Sequence, residues 1–154
     1  MLRAAGGFLA LGALLGLFAW GQFYDISFAD QLSSCNGEPK GSRFSCYRVK
    51  IGTRFGEDVS GFALFLKENE QEIRHALSQK DSDPGYAVFG TNCHTFYHAA
   101  GDFVATYGSG DLQTLLDLGP SHCTNGYTMG LYKRLALKNN FDRDLLKRFF
   151  EQSR

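Results

Sequence analysis

The stretch of this chain best suited to chemistry is Cys93-His94-Thr95-Phe96-Tyr97-His98-Ala99-Ala100-Gly101, in which two histidines stand one helical turn apart behind a cysteine. On a helix, residues four apart project from one face, so the His94 and His98 imidazoles can grip one metal ion together. Their stripe continues through Gly101 and Ala105, small residues that let a second helix, or a ligand, come close to the backbone. A mononuclear site needs a third ligand, and two candidates flank Cys123, which a Cys93–Cys123 bridge would bring beside the histidines. With His122 the set is three imidazoles, a combination zinc accepts while leaving a position open for water. With Met129 the softer thioether tilts preference toward copper. Glu72 and His75 on the preceding helix are further candidates.

A plainer reading stands beside this one. Two histidines on a small-residue face can simply hydrogen-bond to a neighbouring helix or loop inside the domain. The pattern has no acid between its histidines, unlike HExxH, so a metalloprotease has no support. The loop Thr124-Asn125-Gly126-Tyr127 is rich in turn formers, and Asn-Gly favours positive φ, which suits the start of a helix. Read functionally, its amides and the Tyr127 hydroxyl line a pocket over His94 and His98, with Tyr97 and Gly101 as further pocket candidates.

Cys93, His94, His98 and Gly101, followed by Cys123, Gly126, Tyr127 and Gly130, resemble a pattern of uncharacterised exported proteins in which CHxxxHxxG precedes CxxG(C/Y)xHG. The likeness spans residues 91–131 and implies no activity. Where that pattern places a histidine before its final Gly, this chain has Met129, a departure that weakens a three-histidine site.

Other reaction signatures are missing from the sequence. There is no GxSxG elbow, and Ser121 and His122 are merely neighbours in the chain. Gly108-Ser109-Gly110 lacks the Lys-Ser/Thr of a phosphate loop and reads as a helix stop. No motif fixes a reaction. Sixteen basic and sixteen acidic residues cancel and do not cluster, which argues against nucleic acid as a partner.

The elements that must position these residues begin with an export segment. Residues 4–24 contain no charged side chain and follow Arg3, long enough to span a bilayer as a helix with the N-terminus cytoplasmic. The rest of the chain is then extracytoplasmic. Small residues in Ala19-Trp20-Gly21 leave cleavage open, which would make the domain periplasmic or secreted; Trp20 and Tyr24 suit an interfacial anchor instead. Gly12 and Gly16 form a GxxxG through which the anchor can pack against other membrane helices. The expected division is an anchor and stalk over 1–33, the stalk helix running over 23–32, and a helical domain over 34–154.

Four cysteines in an exported chain point to two disulfides. Of three connectivities, Cys35–Cys46 with Cys93–Cys123 is preferred, the first closing a Gly- and Pro-containing loop. No CxxC or CxxCH is present, so thioredoxin-like and c-type haem signatures are absent. The 154 residues, with 44% hydrophobic side chains and 14 Phe, allow one domain with an aromatic core.

The fold class expected is mainly α. Alternation over 46–51 allows one short strand, with a helical turn as the competing reading. Helical spacing covers 58–79 with a break near Asn69. Residues 80–85 form a turn around Pro84. Thr91 or Asn92 caps a helix to Tyr107, Asp111 caps another to Leu118, residues 121–126 form a loop, and helices follow over 127–138 and 142–152. The function expected is an accessory or binding domain in a membrane or envelope assembly; the alternative is a metal-binding domain holding zinc or copper at His94 and His98.

Overall fold

Phe44, Tyr47, Ile51 and Phe55 recur at three- and four-residue intervals, and the segment carrying them is a single 16-residue helix, α1 (Lys40–Phe55). The computed structural model describes residues 28–78, 91–140 and 147. The strand allowed over 46–51 is therefore replaced by helix. The alternation there is one window on a longer stripe, with Tyr47 and Ile51 fully buried. No strand occurs among the described residues.

The other elements are a helical segment over 28–33, a 3₁₀ turn (Ser34–Gly37), α2 (Val59–Glu68), α3 (Glu70–Ser78), α4 (Asn92–Tyr107), α5 (Leu112–Asp117) and α6 (His122–Lys138). Residues 28–33 correct an expectation, because they are core rather than stalk. Phe28, Ala29 and Leu32 are buried, and the Phe28 ring stands edge-on to Phe55 at 5.6 Å and to Phe65 at 5.2 Å. Behind them, the Tyr47 hydroxyl donates to Asn36 Oδ1 at 2.6 Å, while Asn36 Nδ2 donates to the Ala76 carbonyl at 2.8 Å. This buried pair ties the 3₁₀ turn, α1 and α3 together, and the Cys35–Cys46 disulfide closes the same corner.

The break at Asn69 falls where the spacing placed it: Asn69 ends α2, and its side-chain amide donates to the Phe65 carbonyl at 3.1 Å. Asp58 caps α2 by accepting from the Gly61 amide at 2.9 Å. Thr91 caps α4 by accepting from the His94 amide at 3.1 Å, and Asp111 caps α5 by accepting from Thr114 at 2.8 Å. Each cap satisfies an amide that has no partner within its helix.

Helix α4 is the spine. It buries eleven of its residues, from Asn92 to Ala105, and a helix buried on most faces must be covered on all sides. Helix α1 covers one side, with Tyr47 edge-on to Phe96 at 5.6 Å, and α2 reaches its far end through Phe62 and Phe103, 5.0 Å apart. Helix α6 covers another side in the most extensive contact of the fold.

Helical hydrogen bonding in α6 begins at His122, so the loop expected over 121–126 is the helix's first turn. It is irregular, with Cys123 and Asn125 both at φ 56°. Asn tolerates this left-handed conformation, as the Asn-Gly pair suggests. For Cys123 it is an ordinarily unfavourable state, held by the disulfide to Cys93 and by the packing described below.

No described helix is long and apolar enough to cross a membrane. The anchor over 4–24 with Gly12 and Gly16, the turn over 80–85 and the helix expected over 142–152 lie outside the described residues, save for helical Lys147 within the last.

Candidate functional site between two parallel helices

Helices α4 and α6 run side by side in the same direction. Gly126 rests on the His94 carbonyl and Gly130, four residues on, rests on the His98 carbonyl. From the other side, Gly101 meets the Tyr127 carbonyl and the Leu131 amide. A methyl group built on Gly126 would sit 2.5 Å from the His94 carbonyl oxygen, and on Gly101 it would sit 2.7 Å from the Leu131 nitrogen. Only glycine permits these approaches, so all three glycines of the CHxxxHxxG and CxxGYxxG stretches serve main-chain contact between helices. The Cys93–Cys123 disulfide joins the two N-terminal ends, with Cα atoms 5.6 Å apart.

Parallel neighbours demand a return path, which α5 and its flanking loops supply. The Tyr127 hydroxyl donates to the Leu115 carbonyl at 2.6 Å, and Gly119 packs against the Tyr127 ring. Tyr127 thus supports the crossover instead of lining a pocket over the histidines. Burial pushes its phenol above the usual range.

His94 is buried, and its Nδ1 lies 3.2 Å from the Cys123 carbonyl oxygen. A carbonyl only accepts, so Nδ1–H donates this bond. His98 is half-buried with its ring edge-on to Phe44 at 5.4 Å, and its ring centre lies 6.1 Å from that of His94. Among the described residues its Nδ1 is buried without a hydrogen-bond partner. Burial lowers the His98 pKa, Lys133 and His94 lower it further, and Asp102 acts the other way, which leaves a neutral imidazole at neutral pH. Asp102 itself is buried and pairs with Arg48 Nε at 3.0 Å, an ion pair between α4 and α1.

His122 does not join this pair. His122 packs its ring edge against Tyr97 at 4.6 Å and places Nδ1 3.6 Å from Glu70 Oε1. Met129 is 43% exposed, and Glu72 and His75 are exposed on α3. No group of three His, Cys, Asp or Glu able to hold a metal occurs among the described residues. The His94 and His98 rings stand together, while His122, one of the two third ligands of the sequence reading, turns to Tyr97 and Glu70.

Sequence reading overlooked two arrangements. The Arg48–Asp102 pair carries no local signal, since the partners are far apart in the chain. The Tyr97–His122–Glu70 cluster contains two residues singled out separately, but Glu70 reads as an ordinary first-turn acid.

No family model, curated protein or solved structure matches this chain.

Proposed function

We propose that this protein is a membrane-anchored, extracytoplasmic binding domain, accessory to a membrane or envelope assembly. The observation that supports it is the pair of disulfides within one helical core, with all four cysteines bonded. Such bonds persist in oxidising compartments. The uncharged stretch over 4–24 behind Arg3 supplies the route to one, with the bilayer as first partner and Gly12 and Gly16 offering a surface to other membrane helices. The CHxxxHxxG motif fits an accessory role because its glycine serves helix packing, and its first histidine is hydrogen-bonded to the chain it packs against.

The test is an alkaline phosphatase fusion after residue 154, expressed in an exporting bacterial host, alongside maleimide labelling of the untagged chain. Active phosphatase in the carbonate-resistant membrane fraction, with thiols labelled only after reduction, supports the reading. Inactive phosphatase and freely labelled cysteines would overturn it.

A second reading, zinc or copper at His94 and His98, is favoured by one observation. The Nδ1–H to carbonyl bond of His94 is the arrangement that commonly orients a metal-binding imidazole through its other nitrogen. Elemental analysis of the oxidised protein, purified without chelator, tests it against the His94→Ala/His98→Ala variant. Near-stoichiometric metal lost in the variant supports the site. No metal in either sample leaves both histidines as packing residues.

A further inference from the structure

The chain enters the described domain at one particular end. The helical segment over 28–33 runs opposite to α1, since Phe28 meets Phe55, the last residue of α1, while Cys35 just beyond the segment is bonded to Cys46 near the middle of α1. Helices α1, α4 and α6 all finish at the end where Phe28 begins. The Phe44 ring lies against His98 and Arg48 pairs with Asp102, partners four apart on both helices, so α1 and α4 are parallel. Gly126 and Gly130, resting on the His94 and His98 carbonyls, make α6 parallel to them. Carried to the C-terminal turns, these registers put Phe55, Tyr107 and Leu137 within about one turn of a common level. Aromatic rings join the entry point to that level: Phe55 to Phe62 at 5.0 Å, Phe62 to Phe103 at 5.0 Å, and Phe103 to Tyr107 at 5.2 Å.

This end leaves apolar side chains uncovered. Tyr107 is 44% and Leu137 45% exposed. Its charge is mixed. The Arg54 guanidinium stands over the Phe28 and Phe55 rings at 5.9 and 5.7 Å, and Lys138 ends α6; Glu57, Asp58 and Asp111 lie in the loops that follow α1 and α4. Charge therefore selects no partner here, but the connection to the uncharged N-terminal stretch does. Only residues 25–27 separate Tyr24, the end of that stretch, from buried Phe28. Four steps between Cα atoms span at most about 14 Å, and the head-group layer of a bilayer is about 5–8 Å thick. With residues 4–24 in the membrane, the Phe28 corner is held to within about 9 Å of the head-group surface. Tyrosine is a side chain that settles at that boundary.

We propose that the end of the domain bearing Tyr107 and Leu137 rests on the bilayer, with both side chains in the lipid head-group layer. The proposal rests on the membrane-anchored reading and names the surface that meets the membrane. It also orients the rest of the molecule. His94 and the Cys93–Cys123 bridge, at the opposite ends of α4 and α6, stand about 20 Å farther from the lipid, facing the compartment.

The test uses the full oxidised chain, one copy per phosphatidylcholine nanodisc, with leucine and methionine methyls labelled for NMR and gadolinium chelated to a small fraction of the lipid head groups. Met129 is the control, because it is 43% exposed on α6, as Leu137 is, but eight residues earlier. That spacing sets it about 12 Å farther from the lipid, and since paramagnetic broadening falls with the sixth power of distance, the Leu137 methyls are expected to broaden at least about tenfold more than Met129. Equal broadening, or more at Met129, in a chain that carbonate leaves in the membrane fraction overturns the proposal and spares the anchored reading. A chain that carbonate releases overturns both. Leu137 resonances that move only with two copies per disc would place a second chain on this end, and the proposal would fail.

Discussion

Replacing Gly130 with alanine tests the central feature of the fold, the main-chain contact between α4 and α6. The new methyl carbon would stand 2.8 Å from the His98 carbonyl carbon, inside the 3.0 Å that methyl carbons respect. Both walls are backbone, so no side chain can turn aside and one helix must move from the other. Overpacking of this kind costs up to about 3 kcal/mol. Alanine returns about 1 kcal/mol through its better helix propensity, so the net loss is about 2 kcal/mol. Gly52 in α1 is the internal control, because nothing lies within 4 Å of a methyl group placed there. Gly52→Ala should therefore stabilise by ~0.5–1 kcal/mol. In urea unfolding of the oxidised protein followed by circular dichroism, with a slope of about 2 kcal/mol per molar, the Gly130→Ala midpoint should fall by about 1 M. The Gly52→Ala midpoint should rise slightly. If Gly130→Ala matches or exceeds the wild type, α4 and α6 do not meet backbone to backbone and the account of the motif fails.

Three further outcomes follow from the same geometry. Exchanging Cys93 and Cys123 for serine should cost more than exchanging Cys35 and Cys46, about 3.6 against about 2.8 kcal/mol in the chain-entropy model, because the sequence separations are 30 and 11; differential scanning calorimetry of the two variants gives the order. Tyr127→Phe should destabilise by about 1–2 kcal/mol, since it leaves the buried Leu115 carbonyl without its 2.6 Å partner, whereas Tyr97→Phe should be neutral or stabilising; chemical denaturation of the pair checks the contrast. Stability should also depend on pH through His98 and His122. Both have folded pKa values below the unfolded value of about 6.5, so the native state holds fewer protons; their contribution is fully present above about pH 6.5 and is lost as pH falls through the lowered folded values. Urea midpoints at pH 7.5 and 5.0 should differ for the wild type, and differ less for His98→Asn/His122→Gln.

What the sequence made legible was local. The caps at Thr91 and Asp111 each rest on a side chain that reaches its own helix start, so residue type and position suffice. The disulfide pairing was readable because one loop was short and two cysteines remained. The short strand failed for lack of span: over six residues Tyr47, Val49 and Ile51 alternate, and only the stripe from Phe44 to Phe55 reveals a helix with Val49 65% exposed on its outer side. Gly101 was legible as a place of close approach. Gly126 and Gly130 were not, since Gly126 beside Asn125 reads first as a turn and nothing local announces a parallel partner for either. The direction of His122 was equally hidden, because it follows from where α3 sets Glu70.

The glycines of α6 touch the carbonyls of positions 94 and 98, not their imidazoles. Any residue has that carbonyl, so the backbone grip of one helix on the other does not depend on the side chains at those two positions, and only the His94 ring adds a bond of its own, to the Cys123 carbonyl. The scaffold and the chemistry of the CHxxxH stretch are thus separable at position 98 and coupled at position 94. Selection, or an experimenter, can rewrite His98 while the helix pair and its disulfide stay in register, which makes this end of the face a mount on which different side chains can be installed.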